Sequence, residues 1–230
     1  MSPTSVDLHP TARLVEQSPG LKTQLQHILQ TAVTVAESDF GNIQLLDDAG
    51  HLKIVTYLGF ESWSIDFWQT AAGDGHGACG AALANGGRVI VEDVLTSPVF
   101  ANPADRETMV KAGIRAVPST TVRARSGQLL GMFSTHYRAA HGLDAKTLKV
   151  LDLLTEHAAQ AIERAQAEQA LSMIGAEYQA IFRNAPVGIA QMDPVRRTFL
   201  KVNPAVCAML GYTEDELVGR RLEDITYPAD

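Results

Sequence analysis

Two side chains capable of metal-binding and redox chemistry lie three positions apart, His76 and Cys79, in the sequence GHGACG of residues 75–80. Zinc favours imidazole and thiolate ligands, but a structural zinc site takes four of them, and the other cysteine, Cys207, is far away in sequence. A reactive thiol needs a lowered pKa, for which His76 and a nearby helix N-terminus are the only visible causes. We therefore predict that Cys79 is a reduced, unligated thiol, and we expect no metal site and no catalytic residue.

The same six residues match the pattern G-x-G-x-x-G of dinucleotide-binding loops. Such a loop follows a strand inside a βαβ unit, and the sequence predicts neither a strand directly before it nor that unit. We interpret residues 73–80 as a glycine-dense, flexible bend at the mouth of a pocket.

Aromatic side chains cluster on both sides of this bend. Converging aromatic rings near a concave surface can stack on a planar ligand, and ordinary core packing is the alternative. With the two residues above, they form the set of ligand-pocket candidates: Trp63, Phe67, Trp68, His76, Cys79 and Phe100.

Composition narrows the class of protein. The 230 residues are 46% hydrophobic, which is typical of a globular chain. The net charge is -7, and Lys and Arg are scattered evenly, so we expect no basic stripe that binds nucleic acid. Residues 1–10 do not show the basic start and apolar core of a secretory leader, and no eighteen successive residues are apolar. We therefore expect a cytoplasmic protein without a membrane segment and with reduced thiols.

The apolar spacing predicts an ordered chain of helices and hairpins after a loose lead-in over residues 1–20. Helices are predicted over residues 21–35 and 103–112, and a short helix or ordered loop over residues 61–69. Strands are predicted over residues 40–47, 51–57, 88–91, 116–123 and 128–136, with Gly131 at a close helix–sheet contact. This order indicates an α+β fold with one antiparallel sheet and the terminal helices on one face.

A long helix is predicted over residues 144–183, where no Gly or Pro occurs before Gly175. Its first apolar series, which we call the first seam, repeats at steps of three and four: Leu151, Leu154, Ala158, Ala161 and Ala165. The second seam is shifted by one position, which places a phase break at residues 166–170: Leu171, Ile174, Tyr178 and Ile181. The first seam favours a helix that pairs with a second copy of the chain; a helix packed on its own domain is the alternative.

Five segments in order resemble a bacterial GAF domain over residues 21–163. They are DFGNIQLLD (39–47), GACG (77–80), VIVEDV (89–94), GIRAVPST (113–120) and GMFSTH (131–136). The resemblance implies an antiparallel sheet of five or six strands, a ligand-sized pocket under residues 63–80 and 95–112, and dimerisation through the terminal helices.

A second resemblance, to the front half of a PAS domain, covers residues 178–230, and the long helix overlaps both regions. It is carried by AIFRNAPVGIA (180–190), VNPAVCAMLGY (202–212) and EDELVGR (214–220). Asn203 and Pro204 start a helix with Val206, Met209 and Leu210 on one face. Thr213 and Glu216 form a capping box for the next helix. Tyr227 stands where many relatives have histidine, and the sequence ends before the last strands of a PAS sheet, so we expect an incomplete α+β domain.

Together the resemblances imply the sensory input region of a bacterial signal-transduction protein, most often a sensor histidine kinase. It would bind a small ligand or relay a conformational change through a dimeric helix to an output domain, with no cofactor assigned. The alternatives are the input region of a cyclic-di-GMP enzyme, a ligand-free dimerisation scaffold, and a GAF-type methionine-sulfoxide reductase. A single cysteine within residues 21–163 argues against the reductase. His157 is interpreted as a solvent-facing residue, because its flanks are not those of a phosphoacceptor histidine.

Overall fold

The computed structural model describes residues 11–65 and 77–225, and the chain divides into two units, Met1–Ala167 and Glu168–Asp230. The first unit is built on a five-stranded antiparallel sheet with strand order β2-β1-β5-β4-β3. The strands are β1 (Phe40–Leu46), β2 (Leu52–Leu58), β3 (Arg88–Val91), β4 (Val117–Arg123) and β5 (Leu129–His136). The predicted α+β class and both predicted hairpins are confirmed.

Short-range hydrogen bonds explain the first hairpin. The Asp47 carboxylate accepts hydrogen bonds from the backbone N–H groups of His51, at 2.8 Å, and Ala49, at 2.9 Å. These bonds lower the pKa of Asp47. Gly50 has a φ of 82°, which a residue with a side chain rarely adopts. The turn residues therefore set the register of β1 against β2.

Helices cover both faces of the sheet. They are α1 (Ala12–Gln17), α2 (Pro19–Val35), α3 (Gly77–Asn85), α4 (Pro103–Lys111) and α5 (Ala145–Asn184), with a 3-10 turn at Pro98–Phe100. Helices α1, α2 and the first part of α5 share a core cluster with Ile43, Leu45 and Phe133 of the sheet. Helix α3 packs on the opposite face, where Ala82 joins Leu46 and Met132.

The expectation of a loose lead-in is wrong for residues 11–20. Thr11 donates from its backbone N–H to the Leu46 carbonyl at 3.0 Å and from its hydroxyl to the Leu130 carbonyl at 2.9 Å. Leu14 and Val15 of α1 are buried in the main core. The segment is ordered because the short amphipathic helix α1 completes the core beside α2. The mixed composition of residues 1–20 as a whole did not reveal this helix.

The expectation of a bend over residues 73–80 is wrong for residues 77–80, which are helical. Helix α3 begins at Gly77, so Cys79 and Gly80 lie in its first turn. Residues 62–65 are helical, in agreement with the short helix expected there. The remaining residues of both predictions, 66–76, lie outside the described part of the chain.

Gly131 lies at a close contact, but with a strand rather than with a helix. A β-carbon on this residue would collide with the Gln44 carbonyl oxygen of β1 and would lie 2.8 Å from Cδ2 of Leu45. Gly131 pairs with Leu45 on one side and Val122 on the other. The missing side chain therefore permits close approach of β1 to β5.

The first seam of the long helix is buried inside its own unit. The core cluster formed with α1, α2 and the sheet contains Leu151, Leu154, Ala158 and Ala161. Ala165 is partly buried and packs against this cluster. These side chains are therefore not available to a second copy of the chain, and the alternative of packing on the own domain is correct for them. At about 100° per residue, the second seam lies on the nearly opposite side of the helix. Its four residues are at least half exposed.

The second unit contains the end of α5 and a small α+β element. It consists of β6 (Ala190–Met192), β7 (Phe199–Val202), α6 (Pro204–Leu210), α7 (Glu214–Leu217) and a 3-10 turn at Leu222–Asp224. Asn203 caps α6, and the Glu216 carboxylate accepts hydrogen bonds from the Thr213 N–H and hydroxyl at 2.9 and 3.0 Å, as the capping pattern predicts.

The predicted apolar face of α6 is only partly correct. Val206 joins Phe199, Val202 and Leu217 in a small core, whereas Met209 is 75% exposed. Two strands bury one turn of that helix and leave the rest of its face uncovered. In the described residues, no helix is both long enough and apolar enough to cross a membrane.

Candidate functional site

The face of the sheet under α3 is polar at its centre. Side chains of a strand alternate between faces, and Ile43 and Leu45 belong to the cluster on the helix-covered face opposite α3. Asn42 and Gln44 therefore point toward α3. With three residues of β4 and β5 they form what we call the polar floor: Asn42, Gln44, Ser119, Ser134 and His136.

Strand register aligns this floor across the sheet. Ser119 pairs with Ser134, and Ser134 pairs with Asn42, so the three lie in one row over three adjacent strands. The Ser119 and Ser134 hydroxyl oxygens are 2.8 Å apart. Above them, the Cys79 sulfur of α3 lies 3.8 Å from each hydroxyl oxygen. Helix α3 therefore covers the serine end of the floor with a thiol.

Three polar atoms of the floor have no partner. The side-chain oxygens of Asn42 and Gln44 and Nδ1 of His136 are buried, and none has a hydrogen-bond partner among the described residues. Buried polar atoms in folded proteins are nearly always paired, and an unpaired one needs an explanation. These atoms therefore mark the floor as a surface that can bind a polar molecule.

The floor is electrically neutral. Burial lowers the pKa of His136 to about 3, so its imidazole is uncharged at neutral pH. Burial also raises the pKa of the Cys79 thiol, and the serine hydroxyls only partly oppose that shift. Among the described residues, the buried polar side chains include no Lys, Arg, Asp or Glu. The arrangement can accept or donate hydrogen bonds. It provides neither a thiolate nor a charge that would pair with a charged ligand.

The structure places the predicted pocket residues in different surroundings. Phe100 is fully buried in a core cluster with Ala78 and Met109. Trp63 is 38% exposed, donates to the Glu61 carboxylate at 2.8 Å, and lies under the Lys111 ammonium, 5.1 Å from the ring centroid. Phe67, Trp68 and His76 lie outside the described residues. Of the six, Cys79 has polar contacts with the floor.

Sequence reasoning missed the floor because its residues are ordinary polar residues in strands. Asn42 and Gln44 alternate with Ile43 and Leu45, which is the pattern of a strand with one solvent-facing side. The short apolar helix of residues 77–85 is the signal that could have indicated a covered strand face, because an apolar helix must pack against another surface. In the described residues, no three His, Cys, Asp or Glu side chains come close enough together to hold a metal ion.

The opposite face of the same strands is joined to the long helix. Thr120, next to Ser119 in β4, accepts a hydrogen bond from Arg88 Nε at 2.8 Å. The same Arg88 forms an ion pair with Asp152 of α5. Phe133, next to Ser134 in β5, shares a cluster with Leu154 and Ala158. Strands β4 and β5 therefore carry the floor on one face and contacts to the first part of α5 on the other.

Comparisons with known proteins agree with this architecture. A model of the GAF domain matches residues 20–163, and a model of the PAS domain matches residues 176–230. A methyl sulfide methyltransferase-associated sensor of Methanosarcina acetivorans is 28% identical over 146 residues, which make up 64% of this chain. The chain spans only 14% of the length of that relative.

Solved structures share the fold of the first unit. A domain assigned to a two-component sensor histidine kinase of Sinorhizobium meliloti 1021 aligns with a TM-score of 0.58 at 20% identity, over 67% of this chain and 99% of that one. A type II free methionine-R-sulfoxide reductase of Thermoplasma acidophilum aligns with a TM-score of 0.52 at 18% identity, over 66% of this chain and 96% of that one.

The GAF match covers more than half of the chain and coincides with the five-stranded sheet, the helices on both its faces and the buried part of α5. The PAS match begins in the exposed part of that helix and covers the second unit. The chain therefore belongs to the GAF domain family, with a PAS domain following the GAF domain.

Proposed function

We propose that this chain is the sensory input region of a sensor histidine kinase, in which the GAF domain receives a small ligand and the long helix relays the change. The observation that carries this proposal is the course of α5. One face of its first part is buried in the GAF core, and its second part presents an exposed apolar seam before the PAS domain.

The contacts on the two faces of β4 and β5 support a relay between ligand and helix. The polar floor is on one face. On the other face, neighbouring residues reach α5, Thr120 through Arg88 and Phe133 through the core cluster. Ser119 and Thr120 are such a pair, as are Ser134 and Phe133. In each strand, two neighbouring residues therefore connect a ligand on the floor with the first part of α5, and few residues lie between them.

A kinase parent is supported by the names of two similar proteins, one called a sensor and the other assigned to a two-component sensor histidine kinase. Autophosphorylation of the full-length parent with labelled ATP tests this part. If instead the parent synthesised or hydrolysed cyclic di-GMP, the kinase proposal would be wrong while the input region kept its role.

A parallel homodimer through the second seam is the second part of the proposal. Leu171, Ile174, Tyr178 and Ile181 recur at three- and four-residue steps, the spacing with which two identical helices pack. A second copy in parallel register presents the same residues at the same height. The exposed apolar side chains are thereby buried against their equivalents.

The dimer is tested with Leu171→Glu combined with Ile174→Glu, measured by sedimentation velocity. We expect a monomer with unchanged helical circular dichroism, because like charges enter a seam that must lose its water. Ser172→Glu with Ala176→Glu adds the same charge on another exposed face of the same helix turns and should leave the dimer intact. A dimer in both variants would place the pairing elsewhere.

The first seam provides a second contrast. Leu151→Glu with Leu154→Glu should abolish cooperative unfolding of the GAF domain, because these side chains are buried in its core. Loss of dimerisation with the GAF domain still folded would instead favour pairing through the first seam.

A methionine-sulfoxide reductase role finds less support, although one solved reductase shares the fold. Such chemistry needs a thiolate, and burial raises the pKa of Cys79. Thiol-dependent reduction of free methionine sulfoxide by the purified chain would overturn this assessment.

A further inference from the structure

The geometry points to a specific class of ligand: we propose that the GAF floor binds an uncharged molecule through a planar edge, such as a carboxamide, that pairs with the carboxamides of Asn42 and Gln44. This inference rests on the proposed ligand-receiving role of the GAF domain and names the chemistry of its ligand.

The first support is the burial of three unpaired polar groups on one face. Asn42, Gln44 and His136 are 4%, 5% and 6% exposed, so water reaches them poorly. The Asn42 and Gln44 oxygens have no partner among the described residues, and both residues stand on the same side of β1, two positions apart. A ligand that donates hydrogen bonds to both oxygens satisfies them together.

The second support is the cover over the floor. Cys79 contacts the two serines at one end, and Ala82 packs with Leu46 and Met132 at the other. Met132 pairs with Gln44 in the sheet register, so the apolar contact adjoins the free carboxamide. A ligand here meets amide oxygens below and apolar side chains beside it, which suits a small planar molecule with one polar edge.

The third support is the absence of charge among the described buried side chains. The floor contains amides and hydroxyls, the group that contacts it from α3 is the Cys79 thiol, and burial keeps the His136 imidazole neutral. An anion or cation placed against it would lose its water without gaining an opposite charge, which is strongly unfavourable. A carboxamide edge loses little, because an Asn or Gln side chain can both donate to it and accept from it.

The test uses three probes of nearly identical shape and different charge: benzamide, benzoate and benzamidinium. Each is titrated at neutral pH into the 230-residue chain, and binding is followed by the ¹⁵N–¹H signals of the side-chain amides. We expect saturable shifts of the Asn42 and Gln44 signals with benzamide at millimolar concentrations, as a molecule of this size allows. Benzoate and benzamidinium should bind at least about tenfold more weakly.

Two isosteric variants assign the contacts. Asn42→Leu and Gln44→Met keep side-chain shape and remove the amides, so each should weaken benzamide binding by about tenfold or more. Neither should lower the melting temperature of the ligand-free protein, because replacing an unpaired buried polar group by an apolar one is neutral or stabilising. Thr135→Val removes a buried hydroxyl from the opposite face of β5 and should leave benzamide binding unchanged.

Three results would overturn the inference: no saturable benzamide binding, equal binding of benzoate or benzamidinium, or a marked loss of ligand-free stability in Asn42→Leu and Gln44→Met. The last result would mean that the protein itself pairs both amides. None of these bears on dimerisation or on kinase output. A failure here is therefore distinguishable from a failure of the proposed function.

Discussion

At the scale of single residues, the environment of His136 makes a side chain that ordinarily titrates near neutrality behave as a neutral polar group. Its ring meets Phe60 edge-on, with centroids 5.1 Å apart, and its Nδ1 has no partner among the described residues. Burial lowers its pKa to about 3 in the folded chain. The unfolded chain takes up a proton on this residue below a pH of about 6.5.

This shift predicts a loss of stability in mild acid. Between the folded and unfolded pKa values, the unfolded state binds more protons than the folded state. The contribution of neutral His136 to the free energy of unfolding is therefore fully present above a pH of about 6.5. It declines by up to about 1.4 kcal/mol per unit as the pH falls toward the folded pKa. Urea unfolding at successive pH values should show this slope between about pH 6.5 and 5.5, above the range in which most carboxylates titrate.

His136→Gln should flatten that slope, since the titrating group is gone. His157→Gln, on the exposed side of α5, serves as the matched control and should keep the slope of the parent chain. Equal slopes in all three proteins would mean that folding does not lower the pKa of His136.

Cys79 gives a second prediction at this scale. Its thiol pKa is raised by burial, so little thiolate is present at neutral pH. In the Cys207→Ser variant, where Cys79 is the remaining thiol, alkylation by iodoacetamide should be slow until urea unfolds the chain. Fast alkylation in the folded state, or stoichiometric zinc or haem that Cys79→Ser removes, would contradict the unligated thiol.

At the scale of elements, the contact between β1 and β5 depends on the absence of a side chain at Gly131. A methyl group there meets the Gln44 carbonyl, which belongs to a paired strand and cannot rotate away. Gly131→Ala should therefore lower the free energy of unfolding by roughly 1 to 3 kcal/mol, the usual cost of overpacking.

Gly20→Ala is the control for this change. It lies in α2 of the same unit, and a β-carbon there meets no atom within 4 Å. Alanine is the better helix former, so its urea midpoint should stay the same or rise slightly. An unchanged midpoint for Gly131→Ala would show that the two strands can separate at little cost.

At the scale of the whole molecule, the phase break at residues 166–170 acquires a structural meaning. Before it, the apolar face of α5 packs on the GAF domain, and after it the apolar face is exposed on another side of the helix. Inserting one alanine at residue 168 should rotate the second seam by about 100° relative to the first. Dimerisation should survive, because each seam keeps its own spacing.

The readout for this insertion is autophosphorylation of the full-length parent with and without the insertion, alongside sedimentation of the 230-residue chain. We expect the autophosphorylation rate of the parent with the insertion to be constantly high or constantly low. Insertion of seven residues restores the phase almost completely and should return the output toward the parent level. Unchanged output after the single insertion would remove the helix from the relay.

The sequence alone was sufficient for the local elements. Turn residues such as Asp47 and Gly50, the caps at Asn203 and Thr213, and the uninterrupted apolar spacing of residues 144–183 act within a few positions of themselves. Their effects on backbone conformation are therefore visible without knowledge of distant contacts. The GAF and PAS resemblances added the order of those elements.

Only the tertiary structure decided which surface each apolar or polar series faces. The first seam and the second seam have the same spacing, and burial against α1, α2 and the sheet distinguishes the one from the other. Asn42 and Gln44 have the pattern of a solvent-facing strand side, yet both are buried in the folded chain. Spacing along one element determines which residues share a face, whereas burial depends on partners that come from elsewhere in the chain.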